Sequence, residues 1–318
     1  MAPKIRLMKA SDLEQVSQID GHSFSDLLTK LMHTKVDLPP HEMEYFDFWR
    51  TKGAKGALVE EENGRINGFI FCHARGRSGW IGPLAVRVDA QGKGAGKRLM
   101  AAGLKYFDRQ RVKRVGLDTF AQNPISVSLY LKNGFQLVGG LVLMGAPIEL
   151  LEGLGGDSAF TLEKMKRAGK YRYEAISLDD LPAIASMERA ATGFDRKDDF
   201  EFLLTSGLGA GFFAREEKRV VGYAFTSIRR KTGFIAPVLL VPGCDQQPVA
   251  NRLLSLCAEW LESRGNGSAL AFCRGDDLRM FKVLLAAGFR MRSMCVTMHR
   301  TGAMGKGPIR TPFSIEKG

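Results

Sequence analysis

Shifted by 154 residues, this chain of 318 lies along itself without a gap over about a hundred positions. The stretch GFIFCHARGRSGWIGPLAV from Gly68 falls on GYAFTSIRRKTGFIAPVLL from Gly222. Gly68, Phe71, Arg75, Gly79, Ile81 and Pro83 then meet Gly222, Phe225, Arg229, Gly233, Ile235 and Pro237. The same shift pairs Phe46 and Phe48 with Phe200 and Phe202, Leu99 with Leu253, Gly134-Phe135 with Gly288-Phe289, and Met144 with Met298. Glycine and proline fix backbone geometry rather than mere hydrophobicity. Their coincidence at one shift marks two copies of one fold.

Nearer each start the best match, Asp12-Leu13 on Asp180-Leu181, needs a shift of 168, which leaves 14 extra residues in the first copy. The segment LTKLMHTKVDLPPHEM is where they fall. The expected organisation is a first domain over 1–148, a linker over 149–170, a second domain over 171–300 and a tail over 301–318.

Within the first copy, KIRLMK reads as a strand and DLEQVSQID as a helix capped by Ser11-Asp12. HEMEYFDFWRT reads as a second helix, and GALVEEENGRINGFIFCHARG as a hairpin turning at Glu62-Asn63-Gly64. SGWIGPLAV is a strand, Gly94 to Gln110 a helix with Leu99, Met100, Gly103, Leu104 and Phe107 on one face, and RVGLDTF a further strand. NPISVSLYLKNG closes as a helix at Gly134, and FQLVGGLVLMG reads as a final pair of strands. This is a mixed α/β order.

The junction between SGWIGPLAV and the following helix, VDAQGKGAGKRLM, has three glycines and three cations in thirteen residues. A Walker A loop needs a Gly-Lys-Ser/Thr that is absent, and the dinucleotide fingerprint fails because Lys97 takes its third glycine position. A third pattern, Q/R-x-x-G-x-G/A, is met by Gln91, Gly94 and Gly96. Amides at a helix start are unpaired and point outward. Without side chains at Gly92, Gly94 and Gly96 a pyrophosphate can approach them, and Lys93, Lys97 and Arg98 add positive charge.

At these residues the sequence resembles the GCN5-related N-acetyltransferase (GNAT) superfamily, from Lys4 to about Met144, through PLAVRVDAQGKGAGKRLM and NPISVSLYLKNGF. The resemblance implies two tandem α/β domains, each a mixed, mostly antiparallel, splayed sheet flanked by helices. It implies acetyl-CoA as co-substrate and no metal. Its pyrophosphate would lie on the amides of Gln91, Gly92, Lys93, Gly94, Ala95 and Gly96, near Lys97. The pantetheine arm would run beside the backbone of Leu84, Ala85 and Val86, with the acyl oxygen met by an amide near Ala85, and Asn123 would touch the cofactor. Tyr130 matches the family's tyrosine and would protonate the leaving thiolate. Candidate bases are Asp118, Glu60–Glu62, His22 and His73. Cys72 has no partner that makes it a nucleophile.

In the second copy QGKGAGKRLM becomes DQQPVANRLL, so Asp245, Pro248 and Ala250 replace Gln91, Gly94 and Gly96, while Leu284 and Asp277 replace Tyr130 and Asn123. Proline removes an amide donor. The second copy is expected to be degenerate, kept for packing.

The net charge of +12 suits an anionic ligand, but the cations are spread along the chain and no aromatic–basic motif favours nucleic acid. No apolar run reaches the roughly 20 residues of a membrane span. Five scattered cysteines without CxxC spacing suit a reduced, cytoplasmic protein. The acceptor is expected to be a small-molecule amine, with Asp37, Glu42, Glu44 and Asp47 as local negative charge and the nearby aromatics lining a pocket or the core. The rival class is a non-catalytic acyl-CoA-binding module.

Overall fold

The computed structural model describes residues 2–53, 55–155 and 170–300. The linker expected over 149–170 lies largely outside them, and the tail expected over 301–318 entirely so. The chain sorts into two compact units, each drawing on both ends of the repeat. One comprises the residues up to Gly139 together with a segment starting at Cys295; the other runs from Gly140 to Met294.

The first unit opens with β1 (Lys4–Leu7), α1 (Leu13–Met32) and α2 (Met43–Lys52). Next come β2 (Ala57–Glu62), β3 (Arg65–Arg75), β4 (Ser78–Val86), α3 (Ala95–Arg109), β5 (Arg114–Phe120) and α4 (Pro124–Lys132). The turn between β2 and β3 has both central residues, Asn63 and Gly64, in the left-handed region, at φ 52° and 77°. That backbone matches the twist of a two-residue hairpin. The start of α1 differs in detail from the expected cap. Asp12, not Ser11, reaches back to the Lys9 amide at 2.6 Å. Asp180 does the same for Ser177 at 3.0 Å in the second copy, which explains the match at a shift of 168.

The strand expected to break into a pair is continuous: β6 (Gln136–Pro147) runs through Gly139 and Gly140. Neither glycine has a positive φ, so nothing turns the chain there. Residues 141–147 of β6 pair antiparallel with β11 (Ser268–Arg274) in the second unit. In return, the end of β12 (Arg290–His299) pairs antiparallel with β5 in the first unit, Cys295 opposite Phe120 and His299 opposite Gly116. Each sheet is therefore finished by a strand from the other repeat.

The first unit's sheet has the order β1-β2-β3-β4-β5-β12, parallel between β4 and β5 and antiparallel elsewhere. One face carries α3 and α4, where Leu99, Met100, Leu104, Phe107 and Tyr130 pack on Ile70, Leu117 and Met298. Gly103 is needed there, since a Cβ would stand 2.7 Å from Cys72 Sγ. The other face carries the aromatics of α2. Phe46 and Trp49 are buried against Phe69 and Phe71, so these rings are core and do not line a pocket. Each contributes about 1.5–3 kcal/mol by leaving water.

The first copy's extra residues are partly helical: α1 spans 20 residues where its counterpart α6 (Leu181–Thr192) spans 12. The rest folds back along α1. Ser25 holds Leu38, Thr29 holds Val36, and Asp20 holds both the amide and the ring of the buried His41, at 3.1 and 3.0 Å.

The second unit repeats the plan with α5 (Ile148–Glu152), β7 (Tyr171–Ala175), α6, α7 (Lys197–Thr205), β8 (Gly209–Glu216), β9 (Arg219–Arg229), β10 (Thr232–Leu240), α8 (Gln246–Glu262), β11 and α9 (Leu278–Ala286). Its sheet order is β6-β11-β10-β9-β8-β7. Val142 and Met144 of the exchanged strand are buried in its core with Leu253, Leu254 and Phe289.

Candidate active site

The first unit's parallel strand pair creates an opening. β4 and β5 pair only through Ser78–Trp80 and Arg114–Gly116, although β4 continues to Val86 and β5 to Phe120. Leu84, Ala85 and Val86 stay paired with β3 on their far edge, opposite Ile70, Phe69 and Gly68. Their near edge borders the notch that opens beyond Trp80. The Val86 carbonyl accepts from Ser23 Oγ at 2.9 Å and from Gln91 Nε2 at 3.1 Å. Ser23 was missed in the sequence because a single serine in a helix carries no pattern.

At the end of β4, Gln91, Gly92, Lys93 and Gly94 are exposed and α3 starts at Ala95 with no side-chain cap. Gly92 and Gly94 have φ of +75° and +82°, a conformation that side chains resist. A Cβ on Gly92 would meet nothing, and one on Gly96 would stand 3.6 Å from Leu129 and 3.7 Å from Val86. Packing thus does not require glycine at these two positions; at Gly92 the positive φ favours it, and at Gly96 neither packing nor φ does. Uncapped first-turn donors, open glycines, and exposed Lys93 and Lys97 together fit a pyrophosphate.

Arg98 has a different task from the one expected. Its Nε and Nη2 donate to the Glu60 carboxylate at 2.7 and 2.8 Å, and its Nη1 to the Lys93 carbonyl at 3.0 Å. It ties the glycine loop to β2 through a fully buried carboxylate. Glu60 is thereby taken up as a base candidate. Glu61 is held by Arg6, and Glu62 accepts from Asn67 at 3.3 Å. His22 is exposed on α1, and His73 Nε2 lies 2.9 Å from the Gly82 carbonyl. Asp118 is the candidate that lies on β5 beyond its last residue paired with β4.

Tyr130, on α4, is buried beside Leu117 and Leu99, with its ring 6.1 Å from Phe135. Burial pushes its phenol up to about 12, so it keeps its proton at neutral pH. Asn123 caps α4: it accepts from the Ser126 amide at 3.2 Å and donates to Ser126 Oγ at 2.8 Å. Asp277 caps α9 in the same way, accepting from the Met280 amide at 3.0 Å. Capping is thus common to both copies and accounts for Asn123 without a ligand.

The equivalent junction in the second unit is closed. The Asp245 amide donates to the Tyr171 hydroxyl at 2.9 Å, and that hydroxyl donates to the Asp245 carboxylate at 3.0 Å. Lys170 lies 3.5 Å from the same carboxylate. Pro248 occupies the first turn of α8. The amides at the two equivalent positions are both taken, Gln91's by the Val88 carbonyl at 3.3 Å and Asp245's by Tyr171; the second junction differs in the amide that Pro248 lacks and in the carboxylate of Asp245.

Among the described residues no three His, Cys, Asp or Glu side chains are grouped to hold a metal, and no helix is long and apolar enough to cross a membrane. All five cysteines are free and buried.

Residues 21–135 match the model of the acetyltransferase (GNAT) family. A mycothiol acetyltransferase of Streptomyces coelicolor is 34% identical over 82 residues, 25% of this chain and 26% of that protein. Among solved structures, a putative acetyltransferase from Pyrococcus horikoshii superposes with a TM-score of 0.72 at 16% identity, covering 99% of this chain and 96% of that one. A tandem GNAT protein from the clavulanic acid biosynthesis pathway superposes at 0.67 and 14% identity, covering 94% and 98%. These two likenesses establish the fold.

Proposed function

We propose that this chain, whose N-terminal half carries a domain of the acetyltransferase (GNAT) family, moves an acetyl group from acetyl-CoA to the amine of a small molecule, using its first unit alone. The observation that carries this reading is the contrast between the copies. One junction carries glycines at 92, 94 and 96; the other carries the Asp245 carboxylate and Pro248, although both helix starts lack a side-chain cap and both strands run on past their short parallel pairing.

When bound, acetyl-CoA supplies an activated thioester. The amides from Gly92 to Gly96 would hold the pyrophosphate, the Gln91 amide being taken by the Val88 carbonyl at 3.3 Å, with Lys93 and Lys97 adding charge. The edge of Leu84, Ala85 and Val86 aligns the pantetheine arm, and an amide near Ala85 stabilises charge developing on the acyl oxygen. Tyr130 holds a proton for the departing sulfur. Arg98 and Glu60 keep the glycine loop in place.

The relatives named as mycothiol acetyltransferases support a small-molecule acceptor, and only that class is carried over to this chain. The buried free thiols suit a reducing compartment, and the cytoplasm is the proposed location.

The test is release of CoA thiol from acetyl-CoA in the presence of a panel of primary amines: amino sugars, aminoacyl amides and polyamines. Amine-dependent release supports the reading. Saturable acetyl-CoA binding with no release across the panel would point to a non-catalytic binding module. With an acceptor in hand, Tyr130→Phe is expected to lower kcat about 100-fold and leave acetyl-CoA affinity nearly unchanged. An unchanged kcat, with chemistry shown to be rate-limiting, would leave Tyr130 only its packing role.

A further inference from the structure

We propose that Asp118 is the group that takes the proton from the incoming amine, and that Thr297, on the strand delivered from the far end of the chain, positions it. The inference rests on the acetyltransferase reading above.

Asp118 lies two residues beyond Gly116, the last residue of β5 paired with β4, so it flanks the opening of the notch. Strand alternation sets its face. Leu117 packs with Tyr130 and α3, so Asp118 points the other way, to the face that carries α2. Gly116 marks the same face: a Cβ there would stand 2.5 Å from the Trp80 ring and 3.1 Å from His299. Tyr130 and Asp118 therefore lie on opposite faces of the sheet. Direct acyl transfer uses that arrangement, with a proton donor for the sulfur that leaves and an acceptor for the nitrogen that arrives.

Thr297 stands directly opposite Asp118 in the β5–β12 ladder, and its hydroxyl donates to Asp118 Oδ1. The degenerate copy supplies an internal control. At the corresponding rung Phe272 stands opposite Leu143, and Phe272 stacks on Phe234, the counterpart of Trp80, with centroids 5.9 Å apart. The copy that lost the open glycine loop and the tyrosine has thus also lost both members of the polar pair. The sheet accepts an apolar pair at that rung, so the fold does not demand a carboxylate there. Its occurrence in the copy with the open junction points to chemistry.

The step balances as follows. Asp118 takes one proton from the acceptor's ammonium, directly or through a water. The nitrogen lone pair forms the C–N bond at the thioester carbon, and the C–S bond breaks with its electron pair going to sulfur. Tyr130 gives that sulfur a proton and regains one from the new amide nitrogen, while Asp118 returns its proton to solvent. The net products are the amide, CoA thiol and one proton.

The experiment uses the full chain with Asp118→Asn, Thr297→Val and Thr297→Ser, following CoA release with two nucleophiles. One is the primary alkylamine that reacts fastest in the panel; the other is hydroxylamine, which is already unprotonated at neutral pH. Asp118→Asn is expected to lower kcat about 100-fold with the alkylamine and only a few-fold with hydroxylamine, with acetyl-CoA binding unchanged. Thr297→Val is expected to lose about tenfold with the alkylamine through misplacement of the carboxylate, and Thr297→Ser to recover most of it. Equal losses with both nucleophiles, or a Thr297→Val enzyme as fast as the parent, would overturn the proposal. If the parent binds acetyl-CoA but acylates neither nucleophile, the acetyltransferase reading fails and the role of Asp118 falls with it. Should Asp118→Asn not fold, the Val and Ser variants at 297 decide the question.

Discussion

A fragment of residues 1–170 is expected to be insoluble or to self-associate, and to bind no acetyl-CoA. The contiguous halves suggested by the repeat make such a cut look safe, but the strand exchange makes it damaging. The cut removes Cys295–His299, which pair with β5, and the Arg300 amide, which donates to the Val115 carbonyl at 2.9 Å. It also removes Met298, fully buried against α3 and α4. Deleting one buried methionine side chain costs about 2–5 kcal/mol, a large share of the roughly 5–15 kcal/mol by which a domain is stable. The cut further strands residues 141–147 without β11, so Val142, Met144 and Ala146 lose their core. A bare apolar strand edge is a site of aggregation. The repeat also supplies a repair. A chain running from residue 140 directly into 295–300 places the missing strand in its own register, since 141 and 295 are equivalent. That spliced version is expected to be more soluble and to melt higher than 1–170; size-exclusion chromatography and thermal melting read both. A monomeric, cooperatively melting 1–170 fragment would show that the exchanged strand is dispensable.

The sequence made the repeated architecture and the glycine junction legible because both rest on residues with local backbone meaning. Asn63-Gly64 specifies a tight turn, and the stripe from Leu99 to Phe107 specifies a buried helix face; the structure has both. The strand exchange was not legible. Gln136–Pro147 has the same composition whether it turns back or runs on, and its partner is chosen by tertiary pairing. Gly139 and Gly140 invited a break, yet each adopts a conformation open to any residue. The ties between Arg98 and Glu60, 38 positions apart, and between Thr297 and Asp118, 179 apart, also lie beyond any local pattern. Asn123, which the resemblance places at the cofactor, also caps a helix, a local role that the sequence reading left unstated.

Gly94→Pro is expected to weaken acetyl-CoA binding by tens of times or more. It imposes on the first copy the residue that the second carries at Pro248. It removes one amide donor from the junction, and a hydrogen bond to a charged group is worth about 1.5–3 kcal/mol, or roughly ten- to hundredfold. Gly94 also sits at φ +82°, which the proline ring cannot adopt, so the loop held by Arg98 at Lys93 must rebuild. Gly96→Ala is the milder companion. The methyl has room beside Leu129 and Val86, so stability should hold while the amides become harder to approach. Parent, Gly96→Ala and Gly94→Pro are expected to fall in that order of affinity. Equal affinities would move the pyrophosphate away from this loop.

The central claim is that one acyl-CoA site exists per chain and that it lies in the first unit. Calorimetric titration of the full chain with acetyl-CoA tests it most directly, run beside Gly94→Pro. The account predicts a stoichiometry of one, with that single binding heat lost or strongly weakened in the variant. Two equivalent sites, or one site that Gly94→Pro leaves untouched, would contradict it.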